Sequence, residues 1–224
     1  AALIAAGADP DVLDPVTDRL SVRYEVGETT KNGIRATTVD VLLDGPEHTH
    51  DSDDGEEVGH THDSDDGEEV GHTHAEGTTH AHAEGVDTHR SYREVVAAVE
   101  SMALPDPVES TALDAFERLG RAEASIHGTD LDETHFHEVG ADDAIADVVG
   151  AALLLADLDP DRVVTTPVAT GGGDVEMSHG VYPVPAPATT AIAADADFAV
   201  VGGPVDRELL TPTGAAILAE TTKH

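Results

Sequence analysis

The most apolar stretch of the chain runs from residue 142 to residue 158 and reads DDAIADVVGAALLLADL. It predicts a helix for which Asp142 or Asp143 serves as N-cap and which ends before Asp159-Pro160. Its longest apolar run, residues 148–156, is far shorter than the roughly 20 residues that cross a bilayer. The stretch therefore predicts a helix within a protein core, and no membrane partner.

Helices and strands alternate on both sides of this helix. Helices are predicted over residues 9–17, 92–101, 108–126 and 188–194 and from Thr211 onward, and strands over 20–27, 34–43, 163–168 and 198–201. Asn32-Gly33, between the two longest strands, is a strong hairpin signal. The alternation predicts an α/β fold, with α+β as the alternative, in which helices pack on a mixed, layered sheet.

The composition is strongly acidic. The 224 residues include 46 Asp plus Glu and 11 Lys plus Arg, for a formal net charge of −35. Such a polyanion repels nucleic acid, whose affinity for proteins comes mainly from Lys and Arg, and it repels anionic lipid. The acid excess extends over the whole chain, which we interpret as adaptation to a salt-rich cytoplasm. The absence of Cys excludes disulfides and thiolate metal sites.

One segment differs from the rest in composition. The sequence HTHDSDDGEEVG occurs at 48–59 and again at 60–71, and residues 44–89 hold 15 carboxylates with no Lys or Arg. With almost no large apolar side chains, this segment cannot offset its ordering entropy, which predicts a disordered insertion. We therefore expect an N-terminal helix and hairpin at 1–45, the insertion at 46–89, and a helical and α/β part at 90–224.

The insertion contains nine of the 14 histidines. They are His48, His50, His60, His62, His72, His74, His80, His82 and His89. Eight of them form His-x-His pairs, and neutral imidazole is a good ligand for nickel or zinc. Pairs on one flexible segment raise the local ligand concentration for one another. This pattern indicates metal capture, with a repeat expansion of no selected role as the alternative.

A second group of metal-ligating residue types surrounds the start of the apolar helix. His135 and His137 point to the same side if their segment is extended, and Glu138 follows them. Asp143 and Asp147 lie four residues apart on one helix face. Asp147 has apolar neighbours, and a carboxylate buried there is costly unless it is paired or binds a metal. The alternatives are an N-cap role for Asp143 and a solvated position for Asp147.

Two segments are candidates for binding an anion through backbone N–H groups, namely Gly171-Gly172-Gly173 and Thr211-Pro212-Thr213-Gly214. No Lys follows the glycines, which excludes a Walker loop. Thr211 is explained equally well as an N-cap with Pro212 at the first helical position. An anionic ligand of so acidic a chain needs cationic donors. The few that are available include Arg90, Arg93 and Arg207.

Four ordered motifs resemble the LarC family of nickel insertion proteins. They are HFHEVGADDAIADVVG at 135–150, SHG at 178–180, PVPAPAT at 183–189 and ELLTPTGAAIL at 208–218. The resemblance extends from about residue 1 to residue 222 and includes the His-rich insertion. It implies CTP-dependent insertion of nickel into pyridinium-3,5-bisthiocarboxylic acid mononucleotide, between its two sulfurs and a ring carbon. The product is the nickel-pincer nucleotide cofactor of lactate racemase.

The chemistry of this reaction leads to hypotheses for the roles of particular residues. The reaction is that of a lyase of the metal chelatase type, with nickel as the inserted metal. His135, His137 and His179 would hold nickel in transit, and Glu138, Asp143 or Asp147 would act as base or ligand. A bound nucleotide or other anion would lie at Thr211, Thr213 and Gly214.

Two parts of the family pattern have no counterpart in this sequence. The family's opening strand with its Ser-Gly-Asp-Met loop would precede Ala1, and its C-terminal region would follow His224. We therefore expect an N-terminal part whose CTP, with Mg or Mn, is bound by a C-terminal partner region. A lactate-racemase-like apoenzyme and a second copy of the chain are further expected partners. The rival functions are a non-enzymatic nickel storage protein or metallochaperone, and a divalent-metal phosphohydrolase built on His135, His137 and Asp147.

Overall fold

The computed structural model describes residues 1–43, 90–136, 139–177 and 180–222. The predicted disordered insertion lies outside the described residues, as do His137, Glu138 and His179.

The N-terminal part begins with short helical segments. Helix α1 spans Ala2–Ala5, a 3₁₀ turn spans Pro10–Leu13 and α2 spans Asp14–Thr17. The carboxylate of Asp9 accepts from the backbone N–H of Asp11, at 3.0 Å, and Pro10 occupies the first helical position. The predicted helix at 9–17 is thus confirmed as a 3₁₀ turn that continues into an α-helix.

A long hairpin follows. Strand β1, Val22–Lys31, pairs antiparallel with β2, Ile34–Leu43, from Val22 opposite Leu43 to Lys31 opposite Ile34. Both residues of the connecting turn have positive φ, 52° at Asn32 and 78° at Gly33. This is the conformation that a two-residue type I′ turn requires, so the hairpin prediction is confirmed.

Five longer helices form most of the remaining fold. They are α3 at Tyr92–Glu100, α4 at Asp106–His127, α5 at Asp142–Leu158, α6 at Pro187–Ala194 and α7 at Pro212–Thr221. Helix α5 is buried on nearly all sides, as its apolar sequence predicts. Its small residues permit close packing, because a Cβ added at Gly150 would lie 3.0 Å from the hydroxyl of Tyr24. The base of the hairpin therefore packs directly on α5.

The other strands are short. Strand β3, Arg90–Ser91, pairs with β4, His135–Phe136, and β6, Asp174–Met177, pairs with β7, Gly180–Pro183. Strand β5, Val168–Ala169, is parallel to β8, Val200–Val201. The mixed α/β class is confirmed, and the described strands form four two-stranded sheets.

The strand predicted over residues 163–168 is wrong. No strand occupies residues 163–167, and pairing starts at Val168, whose N–H donates to Ala199 O at 2.8 Å. Pro167 has no N–H and cannot contribute to a ladder at that position. The apolar sequence before Pro167 is therefore left without a strand partner.

The three glycines at 171–173 are part of a close backbone crossing. Gly171 has φ of +91°, and a Cβ there would lie 1.9 Å from Arg207 O. The N–H of Gly172 donates to Arg207 O at 3.3 Å, and Gly203 N–H donates to Gly171 O at 2.9 Å. The Gly172 N–H is thus engaged with the segment that carries Arg207, although residues 171–173 were predicted as a candidate for binding an anion through backbone N–H groups.

Candidate functional site

The segment that carries His135 is fixed by the residue beside it. Phe136 is fully buried, whereas His135 is exposed, as alternation along a strand requires. The Phe136 ring lies 6.4 Å from the ring of Tyr92 and 6.5 Å from that of Phe116, measured between centroids. These contacts join β4 to α3 and α4 and leave the imidazole of His135 on the outer side.

The backbone of β4 is held by the residues that precede α3. Arg90 lies opposite Phe136 and Ser91 opposite His135, and the N–H of Tyr92 donates to Thr134 O at 2.9 Å. Ser91 also begins α3, since its hydroxyl accepts from Glu94 N–H at 3.3 Å while the Glu94 carboxylate accepts from Ser91 N–H at 2.8 Å. This capping box places Glu94 close to β4.

The charge of Glu94 is stabilised by its neighbours. The Ser91 N–H and hydroxyl both donate to its carboxylate and lower the pKa of Glu94, and the nearby His135 and Arg90 act in the same direction. The effect is local, because the Glu94 carboxylate is exposed to solvent. Glu94 is thus an ionised carboxylate near the exposed His135, and it is not among the site residues predicted from the sequence.

The side chain of Arg90 joins β4 to the start of α5. One guanidinium nitrogen donates to Gly140 O at 2.9 Å, and the other lies 2.6 Å from a carboxylate oxygen of Asp142. Their side chains are 22% and 15% exposed, so this ion pair is shielded from water. Arg90 was expected as a donor for an anionic ligand, but it is engaged within the protein. The sequence offers no signal for this contact, because Gly140 lies 50 residues beyond Arg90.

The first turn of α5 contains two of the candidate acidic residues. The helix begins at Asp142 with Ala141 at the N-cap, so the prediction that Asp142 or Asp143 is the N-cap is wrong by one or two positions. Asp143 is half-buried, and its carboxylate accepts from Ala144 N–H at 2.8 Å. Carboxylates in a first helical turn are stabilised by the positive end of the helix dipole.

Asp147 lies one turn further along α5 and is exposed. Its apolar neighbours therefore do not bury it, which agrees with the solvated alternative. Its charge acts on Tyr24, whose pKa is raised mainly by burial and secondarily by Asp147. The Tyr24 hydroxyl is protonated and donates to Ala146 O at 2.9 Å. Asp147 thus lies, exposed to solvent, at the junction of α5 and the hairpin.

These residues do not by themselves complete a metal site. Among residues 1–43, 90–136, 139–177 and 180–222, no three His, Cys, Asp or Glu side chains are grouped closely enough to hold a metal. His137, Glu138 and His179, which the predicted site requires, lie outside those ranges. The predicted ligand set therefore stays a prediction, with His135, Asp143 and Asp147 as its described members.

The start of α7 is occupied by the chain's own side chain. The hydroxyl of Thr211 accepts from Gly214 N–H at 3.2 Å, so the interpretation of Thr211 as an N-cap is confirmed. Gly214 N–H is consequently not available to an anion while this bond persists. Thr213 is half-buried within the same turn.

A well-defined groove of the described residues lies elsewhere. It is a groove of about 540 Å³ between α4, α6 and α7. Its two arginines are engaged within the protein, Arg118 with Glu220 at 2.7 Å and Arg121 with Glu117. None of the predicted site residues lines this groove, so its size is no guide to the chemistry of the chain.

Comparison with known proteins identifies the family to which the chain belongs. The family model described as "Nickel insertion protein" matches residues 1–224, and the chain therefore belongs to that family. A protein from Akkermansia muciniphila named "Pyridinium-3,5-bisthiocarboxylic acid mononucleotide nickel insertion protein" is 39% identical over 223 residues, which are 98% of this chain and 47% of that protein.

Two further relatives have the same name. The one from Desulfitobacterium hafniense is 45% identical over 139 residues, 62% of this chain and 34% of that protein. The one from Clostridium kluyveri is 48% identical over 130 residues, 58% of this chain and 32% of that protein. The chain thus spans less than half the length of these curated relatives.

No solved structure matches the chain. In the part of the chain that the structure describes, no helix combines the length and the apolar character needed to cross a membrane.

Proposed function

We propose that this chain is the N-terminal part of a CTP-dependent enzyme that inserts nickel into pyridinium-3,5-bisthiocarboxylic acid mononucleotide. The observation that carries the proposal is the family match over residues 1–224, together with relatives that bear this name. The reaction is that of a metal chelatase of the lyase class. Its place in the cytoplasm is part of the proposal and rests on the acidic composition.

The chemistry defines what the protein must supply. A ring C–H bond of the nucleotide breaks, a carbon–nickel bond forms, and the two thiocarboxylate sulfurs ligate the same metal ion. Ni²⁺ enters as a substrate, and the ring proton passes to a base. The protein therefore needs imidazole ligands that hold nickel in transit and a carboxylate near them.

The segment after α4 has these residue types. His135 lies exposed at the start of β4, and the half-buried Asp143 and the exposed Asp147 lie on the first two turns of α5. We assign His135, His137 and His179 to nickel transfer, and Glu138, Asp143 or Asp147 to proton removal or nickel ligation. The buried Phe136 supports this assignment, because it gives the strand of His135 a rigid base.

The His-rich insertion is assigned to nickel capture. It ends at His89, directly before Arg90, and β3 pairs Arg90 and Ser91 with Phe136 and His135. Nickel that binds to the insertion would therefore be released next to Arg90 and Ser91, the residues that pair with the strand of His135. Carboxylates among the histidines offset the charge of the ion.

The remaining partners complete the proposal. CTP, with Mg or Mn, would be bound by a C-terminal region, since this chain spans less than half of its relatives. Thr211, Thr213 and Gly214 remain candidates for anion contact, although the Thr211 hydroxyl already accepts from Gly214 N–H. A lactate-racemase-like apoenzyme would receive the product, and the chain would act as a homo-oligomer.

The test is a reconstitution followed by mass spectrometry. The full chain is incubated with the nucleotide, Ni²⁺, CTP and Mg²⁺, with and without a separately supplied C-terminal region from a relative. The proposal expects a nickel-containing nucleotide, recognised by the nickel isotope pattern and the loss of one ring proton. His135→Ala and His137→Ala should abolish it, while His127→Ala, a matched change at the end of α4, should not. Product formed equally by all three variants contradicts the residue assignment, and no product with either mixture contradicts the function.

A nickel storage protein or metallochaperone is the second candidate. The observation in its favour is the set of His-x-His pairs in the insertion, because closely spaced imidazoles raise the local concentration of metal ligands. No observation among the described residues favours a phosphohydrolase.

A further inference from the structure

Arg90 lies where three segments of the candidate site meet. Its backbone belongs to β3, opposite Phe136, and its side chain reaches Gly140 O at 2.9 Å and Asp142 at 2.6 Å. One residue thus contacts the strand of His135, the end of the loop that follows it, and the first residue of the helix that carries Asp143 and Asp147.

The packing around Arg90 brings Phe136 and Gly140 close together. A Cβ added at Gly140 would lie 2.9 Å from Phe136 Cβ and 3.3 Å from both the backbone N and the Cβ of Arg90. The two ends of the loop between Phe136 and Gly140 are therefore side by side, and Arg90 lies against both. Only a residue without a side chain permits so close an approach at position 140.

The two side-chain contacts differ in kind. The contact with Gly140 O is a hydrogen bond, whereas the contact with Asp142 is an ion pair without hydrogen-bond geometry. Charge attraction is strengthened where water is partly excluded, as it is for this pair. The guanidinium makes both contacts at once because its nitrogens diverge in a planar fork, which the single ammonium of Lys cannot reproduce.

We infer that Arg90 is a positioning residue for nickel insertion, which holds the strand of His135 and the first turn of α5 in one fixed arrangement. This inference rests on the proposed function. Arg90 does not touch nickel or the nucleotide; it acts through its contacts with Gly140 and Asp142 and through the pairing of β3 with β4. A site of this kind loses activity when its supporting contacts loosen by about 1 Å, even if its ligands are intact.

The fold offers a matched control at Arg118. Its guanidinium also contacts one carboxylate, Glu220 at 2.7 Å, and one backbone oxygen, Asp195 O at 3.2 Å. Its side chain is 25% exposed and that of Glu220 is 20% exposed, close to the values for Arg90 and Asp142. Arg118 lies in the α4, α6 and α7 groove, away from the candidate site.

The experiment compares four variants of the full chain, Arg90→Lys, Arg90→Ala, Arg118→Lys and Arg118→Ala. Amide hydrogen exchange in residues 135–143 is followed by mass spectrometry, together with kcat and KM for the nucleotide in the reconstituted insertion reaction. We expect Arg90→Lys and Arg90→Ala to speed exchange in this segment and to lower kcat about 10- to 100-fold, as for outer residues that orient metal ligands. The KM for the nucleotide should change less than kcat, and the Arg118 variants should change neither exchange at 135–143 nor kcat.

The outcomes separate the inference from the proposed function. If the unaltered chain forms no product, the proposed function fails and the inference fails with it. If the unaltered chain is active and the Arg90 variants keep its kcat, or lose no more than the Arg118 variants, the inference is overturned and the function stands. If Arg90→Ala does not fold, the soluble Arg90→Lys variant decides the question by the same criteria.

Discussion

The hydroxyl of Tyr24 in β1 donates a hydrogen bond to the backbone oxygen of Ala146 in α5, at 2.9 Å. This bond joins the hairpin to the helix that carries Asp143 and Asp147. Gly150, one turn further along α5, leaves the space that the Tyr24 ring occupies. This phenol and this glycine therefore form one of the contacts that hold the hairpin against α5.

Replacing this hydroxyl should destabilise the fold by a measurable amount. Tyr24→Phe removes the donor and keeps the ring, so we expect the free energy of unfolding to fall by about 1 kcal/mol in urea titrations at pH 7. A loss of that size should come without a change in the slope of the urea dependence, because the folded surface is unaltered. Equal stability of the two proteins would show that solvent replaces the bond without cost.

The same residue predicts a difference at high pH. Burial, and secondarily Asp147, raises the pKa of Tyr24 above its ordinary value. The unfolded chain therefore releases this proton more easily, and the stability that Tyr24 contributes is present below about pH 10 and lost as the pH rises beyond it. The difference in unfolding free energy between the unaltered chain and Tyr24→Phe should narrow above that pH. A constant difference from pH 7 to pH 11 would contradict the expectation.

Glycine at position 140 should be required by the packing of the candidate site. Gly140→Ala places a methyl group 2.9 Å from Phe136 Cβ and 3.3 Å from Arg90 N, which forces the strand and the loop apart. We expect a loss of about 1 to 3 kcal/mol in unfolding free energy, together with faster amide exchange in β4. The matched change Gly202→Ala meets nothing within 4 Å and should be close to neutral. Equal losses of unfolding free energy for Gly140→Ala and Gly202→Ala would show that Phe136 and Arg90 leave room for a methyl group at position 140.

The capping box of α3 predicts acid sensitivity close to the site. Ser91→Ala removes the hydroxyl that accepts from Glu94 N–H and should cost about 1 kcal/mol at pH 7. Because its neighbours lower the pKa of Glu94, its ionised form contributes stability above about pH 4.3, and this contribution is lost as the pH falls through the lowered pKa.

The control is Glu94→Gln, which keeps the side-chain shape and removes the charge. Its stability should fall less steeply than that of the unaltered chain between about pH 5 and pH 3, and thermal unfolding across this range measures the difference. If the stability of the unaltered chain and that of Glu94→Gln changed in parallel with pH, the charge of Glu94 would have no part in the cap.

Deletion of residues 46–89 separates the two candidate functions. An insertion enzyme should keep its kcat at saturating Ni²⁺ and lose rate only when Ni²⁺ is scarce, because the insertion supplies metal and the remaining chain uses it. A storage protein should lose its bound nickel and show no insertion under either condition. Equilibrium dialysis with Ni²⁺ and the reconstituted reaction measure the two properties on one preparation.

Several parts of the fold follow from local sequence patterns. The helix at 142–158, the Asn32-Gly33 turn and the helix predicted over 92–101 depend on patterns within a few residues, and each was predicted correctly as an element. The predictions that were wrong concern residues whose structure depends on which other segment packs or pairs with them. The apolar residues before Pro167 have no strand to pair with, and the side of α5 on which Asp147 lies depends on what packs against the other sides.

The candidate site, too, was predicted only in part from the sequence. Sequence patterns alone indicated the metal-ligating residue types at 135–147, the His-rich insertion and the family resemblance, because these depend on residue identity and short spacing. The roles of Arg90, Gly140 and Glu94 emerged only from the folded chain. Contacts across 50 residues are set by how β3, β4 and α5 pack together, and that packing results from many weak interactions that no short segment encodes.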